Sequence, residues 1–228
     1  MLFRSLRAFR LLDVANRRLR KANDTLEQRV RERTAELEAQ SAEMEQLAHH
    51  DGLTGLVNYG HLSQLLDHAL IRAGRRDDTV VVMFFDLDGF KAVNDTHGHG
   101  TGDLVLQEVA SRVKARLRKE DVLARLGGDE FVVMFEQVDS AADAIRIAQL
   151  TLDAISGIEQ AGGKPVRISA SIGISSAHGP AGAERGAAAL LADADAAMYA
   201  TKQAGKAGYT VSPAARWPRT APVETVAV

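Results

Sequence analysis

At 228 residues the chain suits one ordinary domain plus an extension. It is 46% apolar and 25% charged, as a soluble globular protein is, and a net charge of -2 gives no sign of general nucleic-acid affinity. The absence of cysteine excludes a disulfide framework and a thiolate site, and fits a reducing cytoplasm; no apolar run is long enough to span a bilayer.

The first element is basic. Arg4, Arg7, Arg10, Arg17, Arg18, Arg20 and Lys21 face one acid, Asp13, and arginines interrupt any apolar stretch a signal peptide would need. Two readings stand: a solvated basic helix, or a juxtamembrane segment of a longer receptor with a sensor or membrane part upstream. Residues 5–48 contain neither Gly nor Pro and read as one helix of about 60 Å. A four-and-three spacing runs through Phe9, Leu12, Asn16, Leu19, Asn23, Leu26, Val30, Arg33, Leu37, Gln40, Met44 and Leu47; eight of these twelve are apolar. Such a seam predicts a parallel two-stranded coiled coil and hence a homodimer, with a single helix packed on its own domain as the alternative.

Glycines and an Asp end the helix at His50-Asp51-Gly52-Leu53-Thr54-Gly55-Leu56-Val57-Asn58. A helix follows to about Ala73. Thr79 to Asp86 is a buried strand by its continuous apolar run. A Gly-rich loop holds Asn94 to Asp103, and a helix runs from about Gly102 to Leu117. Val122-Leu123-Ala124 and Phe131 to Phe135 flank Gly127-Gly128-Asp129-Glu130, which reads as strand, turn, strand. Ala141 to Ile155 is helical. Val166, Ile168, Ala170, Ile172 and Ile174 form one face of a strand, and Ala187 to Gln203 is a helix ended by Gly205. The order β-α-β-β-α-β is the ferredoxin-like plan, an α+β fold with helices on one side of an antiparallel sheet. Three regions result: a helical stalk over 1–49, a domain over 50–211, and a disordered tail over 212–228.

The chemistry concentrates where the first strand ends, at Phe85-Asp86-Leu87-Asp88. Strand alternation points Asp86 and Asp88 the same way, and a neighbouring hairpin would bring Asp129 and Glu130 beside them. Clustered carboxylates call for a cation, and magnesium accepts a few of them plus substrate phosphates. Two such ions can activate a hydroxyl and steady a phosphoryl leaving group. Geometry alone leaves Asp86 and Asp88 equal candidates. His97 and His99 read as structural, since no third ligand is indicated. Asn94 offers donor and acceptor and Asp103 acceptors, which suit the donor edge of guanine. Lys202 and Lys206, four apart, share a helix face. Arg118 and Asp121 form an Arg-x-x-Asp pattern that Arg10 to Asp13 and Arg75 to Asp78 match equally well.

The string Arg125-Leu126-Gly127-Gly128-Asp129-Glu130-Phe131 resembles the signature of GGDEF-domain diguanylate cyclases, which join two GTP molecules into cyclic di-GMP. Asp51-Gly52-Leu53-Thr54-Gly55-Leu56-Val57-Asn58 resembles the family's junction between stalk and domain, where Tyr59 replaces the usual Arg. The resemblance covers roughly residues 50–210 and implies a palm-type domain acting as a homodimer, one GTP per chain. It implies magnesium or manganese, two ions per half-site, held by Asp86, Asp129 and the Leu87 carbonyl, with Glu130 also required for activity and Asp88 in a supporting role. It assigns guanine to Asn94 and Asp103, phosphates to Lys202 and Lys206 (the latter usually Arg), and further substrate contacts to Lys91, Gly127 and Gly128. Asp103 favours GTP over ATP and so argues against mixed cyclic dinucleotides. Arg118 and Asp121 stand at the family's distance before the Gly-Gly turn, where the pair forms an inhibitory site for the cyclic product. The rival expectation is a non-catalytic cyclic di-GMP sensor or scaffold; the three acids argue against it.

Overall fold

The structure is a computed structural model and describes residues 28–34, 36–37, 48–138 and 140–218. The chain divides into two units, Met1–Leu47 and Ala48–Val228. In the first, the described residues are helical, Arg33 pairs with Glu36 at 2.7 Å, and the seam residues Val30 and Leu37 are exposed. Apart from Arg33, the other seam positions lie outside the described residues, as does the tail beyond residue 218.

In the second unit the order is α1 (Tyr59–Arg76), β1 (Thr79–Asp88), α2 (Phe90–His97), α3 (His99–Lys114), β2 (Val122–Gly127), β3 (Glu130–Glu136), α4 (Ala141–Ser156), β4 (Gln160–Ala161), β5 (Lys164–Pro165), β6 (Ser169–His178), α5 (Gly179–Ala183), α6 (Gly186–Gln203) and β7 (Gly208–Val211). Asn58 starts α1 by accepting from the His61 N–H, and Ser140 caps α4 through the Asp143 N–H. The main sheet runs β2-β3-β1-β6-β7; β1 lies antiparallel to β3 and β6, and β7 joins β6 in parallel. Without β7 this is the strand order of the expected βαββαβ plan.

The helices are not on one side. Val81, Met83, Phe85 and Leu87 of β1 share a core with α3 and α4, while Val80, Val82 and Phe84 share another with α1 and α6. An apolar run from Val80 to Phe85 has no solvent face, so both sides of the central strand must be covered. Among the described residues, no helix is long and apolar enough to cross a membrane.

Four further features depart from expectation. The stretch Asn94 to Asp103, read as a Gly-rich loop, holds the end of α2 and the start of α3; α2 is an eight-residue helix that buries only Phe90 and Val93, too few apolar residues for a legible period. β7 and the short β4–β5 hairpin were not expected. Residues 212–218, assigned to the tail, lie against the sheet: Ser212 N–H donates to the Ile174 carbonyl at 2.7 Å, Arg216 N–H to that of Ser176 at 3.0 Å, and Trp217 packs on the core.

Helix α6 and strand β6 meet at Gly173. A Cβ there would lie 2.0 Å from the Ala194 carbonyl oxygen and 2.2 Å from the Met198 nitrogen, both backbone atoms that cannot yield. Gly173→Ala should therefore lift α6 from the sheet and lower stability by about 3 kcal/mol, read by urea unfolding. An unchanged midpoint would show that the helix adjusts at no cost.

Candidate active site

The site is built on strand ends. Asp86 stands opposite Glu130 in the β1–β3 register. One step inward, on the opposite face of the sheet, Phe85 stacks on Phe131 with ring centroids 5.2 Å apart. Gly127 and Gly128 turn the chain between β2 and β3 at φ 148° and 52°, the second a left-handed conformation that side chains resist. The turn brings the Asp129 carbonyl to the Leu87 N–H at 3.3 Å, so Asp86, Asp129 and Glu130 gather at one end of the sheet.

Lys202, from the last turn of α6, places Nζ 2.8 Å from Asp86 Oδ2. Burial works against its charge, yet the hydrogen bond and charge of Asp86, backed by Asp129 and Asp88, hold its pKa above the lysine norm. Burial and then the Asp86 charge push the Asp129 carboxyl up. Glu130 is raised by burial, Asp86, Asp195 and Asp129, in that order. Repulsion among acids is thus only partly offset by Lys202.

Asp88 shares a strand face with Asp86 but not its surroundings. It is buried and accepts from Ser169 Oγ at 3.1 Å, from Ser171 Oγ at 3.0 Å and from the Ala207 N–H at 3.1 Å. Its oxygens are engaged in joining β1 to β6 and to the loop after α6. That loop also revises the reading of Lys206: the helix stops at Gln203, and Lys206 sits beyond it at φ 68°, so the two lysines do not share a helix face. Gly205, at φ 124°, breaks the helix between them.

Asn94 lies on α2 with its Oδ1 buried and unpaired, pressed against Gly102 of α3, where a Cβ would come within 2.0 Å of it. Lys91 and Asp103 are exposed on α2 and α3. The His97 carbonyl accepts from Lys164 Nζ and Thr101 Oγ1, and among the described residues no three Asp, Glu, His or Cys side chains form a ready-made metal cage. Asp121 accepts the Arg118 N–H at 2.8 Å, closing a turn that leaves Arg118 exposed; burial raises the Asp121 pKa.

Two residues of the site were not singled out by sequence. Asp195 acts on Glu130 from α6, and its seven-residue spacing from Lys202, two helical turns, was the available signal. Arg125, inside the quoted string, donates from Nη1 to both Asp51 oxygens (2.9 and 3.1 Å) and from Nε and Nη2 to the Gly128 carbonyl (3.0 and 2.7 Å).

Comparison with known proteins gives a consistent picture. The family model described as "Diguanylate cyclase, GGDEF domain" matches residues 48–208. The bifunctional diguanylate cyclase/cyclic di-GMP phosphodiesterase MucR of Pseudomonas aeruginosa is 45% identical over 188 residues, 81% of this chain and 27% of that protein. Diguanylate cyclase TpbB of the same species is 42% identical over 170 residues, 74% of this chain and 38% of that protein. The chain thus spans well under half the length of these relatives. Among solved structures, the coiled coil and GGDEF domain of DgcB from Caulobacter crescentus, in complex with c-di-GMP, superposes with TM-score 0.70 at 30% identity, covering 82% of this chain and 99% of that one. The isolated GGDEF domain of TpbB gives TM-score 0.66 at 38% identity, covering 73% and 95%.

Asp129 and Glu130 carry a cost in stability. A carboxyl whose native pKa exceeds its unfolded value binds protons more readily when folded, so stability rises as pH falls from neutral through the raised pKa. Asp129→Asn and Glu130→Gln should each stabilise the protein at pH 7 by up to about 1 kcal/mol, modest because both groups are partly solvated. The gain over wild type should shrink toward about pH 4.5, measured by urea unfolding at both pH values. A loss of stability at neutral pH would contradict the repulsion.

Proposed function

The chain belongs to the GGDEF-domain diguanylate cyclase family, and on that premise we propose that it condenses two GTP molecules into cyclic di-GMP with release of pyrophosphate. The observation that carries the reading is the meeting of Asp86, Asp129 and Glu130 at the ends of β1 and β3, with Lys202 against Asp86. Each of two chains holds one GTP. The 3′-oxygen of each nucleotide attacks the α-phosphorus of the other, a P–O bond to pyrophosphate breaks, and a second round closes the ring. Positioning and charge neutralisation supply most of the rate.

Asp86 and Asp129, with the Leu87 carbonyl, are the residues that would hold magnesium or manganese, two ions per half-site. The donor set fits: the acids are hard oxygen ligands in excess of positive charge, and magnesium takes one or two carboxylates and completes its shell with phosphates and water. When bound, the ions supply Lewis-acid stabilisation of charge on the phosphoryl oxygens. Glu130, its carboxyl held above the usual range, is suited to take the proton of the attacking hydroxyl. The guanine edge would be met by the half-buried Asn94 amide and the exposed Asp103 carboxylate. Lys91, Gly127, Gly128, Lys202 and Lys206 line the path of the phosphates.

A half-site enzyme works as a dimer, and the 1–49 seam is the natural means of pairing. The reaction draws on the cytoplasmic GTP pool. Cyclic di-GMP would inhibit at Arg118 and Asp121, the exposed guanidinium gripping phosphate or guanine and the carboxylate accepting from guanine.

Incubation with GTP and magnesium, followed by chromatography, should yield cyclic di-GMP and pyrophosphate. Asp129→Ala/Glu130→Ala should yield neither, and specific activity should fall on dilution. Tight cyclic di-GMP binding with no product at any protein concentration would instead favour a non-catalytic sensor. Arg118→Ala should raise the cyclic di-GMP concentration needed for half inhibition by roughly tenfold or more while sparing the uninhibited rate. Unaltered inhibition would remove Arg118 from that site.

A further inference from the structure

Lys202 grips the carboxylate that a divalent ion would need. Asp86 is 14% exposed and Lys202 29%, so their 2.8 Å contact lies at the wall of the site, part sheltered and part open. An ammonium and a divalent cation cannot both sit in contact with the same carboxylate oxygens without strong mutual repulsion. The acids beyond Asp86 do not resolve the conflict. Among the described residues the gathered acids form no ready-made cage that would hold an ion against the lysine, and Asp88, the nearest acid along the strand, is occupied by Ser169, Ser171 and Ala207. Asp86 is therefore the contested ligand.

The contest is between side chains. The backbone after α6 is fastened on both sides of Lys206, whose N–H donates to the Thr201 carbonyl at 3.1 Å, while the Ala207 N–H donates to Asp88. Thr201 beside it is buried and bonded to the Ile172 carbonyl at 2.8 Å. The helix end does not swing. The flexible four-carbon stem of Lys202 does, and its ammonium can turn toward any stronger anion that enters the open side.

We propose that Lys202 is a cationic placeholder that makes metal entry depend on the nucleotide. Before a nucleotide binds, its ammonium neutralises Asp86 and excludes a free divalent ion. When a nucleoside triphosphate arrives, its phosphates draw Lys202 off, and Asp86 is released to the ion that accompanies them. No covalent bond changes; one ion pair is exchanged for two. The proposal deepens the reading of this site as a GTP-dependent cyclase and rests on it.

The test separates metal from nucleotide. Manganese binding to nucleotide-free protein is followed by electron paramagnetic resonance, and binding of a fluorescent GTP analogue is followed in EDTA, for wild type, Lys202→Gln and Lys202→Arg. The two affinities should move in opposite directions in Lys202→Gln: manganese alone tighter by roughly tenfold, the nucleotide alone weaker by a similar factor. Lys202→Arg, which keeps the charge, should resemble wild type in manganese binding. Lys202→Met, which keeps the apolar stem, substitutes if the Gln variant does not reach the wild-type melting temperature. Manganese binding that is unchanged or weaker in a folded, uncharged variant overturns the placeholder. Failure of the cyclase reading would appear elsewhere, as wild-type protein that binds GTP and manganese but forms no cyclic di-GMP.

Discussion

The Arg125 guanidinium reaches in two directions, to the Asp51 carboxylate and to the Gly128 carbonyl, with five hydrogen-bonding N–H groups in a rigid plane. The glycine turn has no side chains of its own to fix it, and the carboxylate it presents must be placed within a fraction of an ångström to be useful. Arg125 supplies what the turn lacks. Its other anchor is itself held: Asp51 Oδ1 accepts from Thr54 N–H at 2.9 Å and from Thr54 Oγ1 at 2.6 Å. Burial opposes the Asp51 charge, but these bonds and the guanidinium outweigh it and hold the carboxyl below its usual range. The backbone runs in parallel, with Arg125 N–H on the Val57 carbonyl at 2.9 Å. The junction that opens the domain and the turn that bears Asp129 thus form one unit braced by a part-buried ion pair.

The central strand explains why two aspartates on one face have different fates. Up to Phe85 every β1 side chain is buried, each face against its own helices. Beyond it the strand emerges at the sheet's end, where Asp86 meets a turn and a lysine. Asp88 lies over β6, where small serines offer hydroxyls and a left-handed loop offers an N–H. A buried carboxylate without such donors would be costly; with them it fastens the loop after α6 and so the base of Lys202. Asp88 is occupied with holding the site's frame, and Asp86, less sheltered, pairs with Lys202.

Much of this was legible in sequence. The strands showed as apolar runs, the hairpin as two glycines between them, and the face of Val166 to Ile174 as strict alternation, because those signals arise from burial and backbone geometry a few residues long. The placement of helices on both faces was also present, in the unbroken run from Val80 to Phe85, but the ferredoxin-like plan outweighed it. What stayed hidden depends on long-range contact. Helix α2 buries two residues and shows no period. Arg216 and Trp217 look like tail until β6 supplies a carbonyl and the core an apolar neighbour. Lys206 seemed to extend a helix because a spacing of four ignores the glycine between. Asp195 carries no motif; its bearing on Glu130 comes from a helix docked across the sheet.

Those long-range contacts make the site a place of stored repulsion. The hairpin, the central strand and α6 each deliver carboxylates to one end of the sheet, and burial raises the cost of their charge before any neighbour is counted. A fold optimised for stability alone would not put Asp86 opposite Glu130 and then turn Asp129 toward both. The stacked Phe85 and Phe131 on the sheet's other face fix the two strands, and Arg125 braces the turn, so the repulsion cannot relax by moving the strand ends apart. It can be relieved by protonation, by Lys202, or by cations brought from outside. Protonation would remove their negative charge, and Lys202 stands against one of the four acids, Asp86. Most of the repulsion therefore stays in the fold and is carried as a cost in stability.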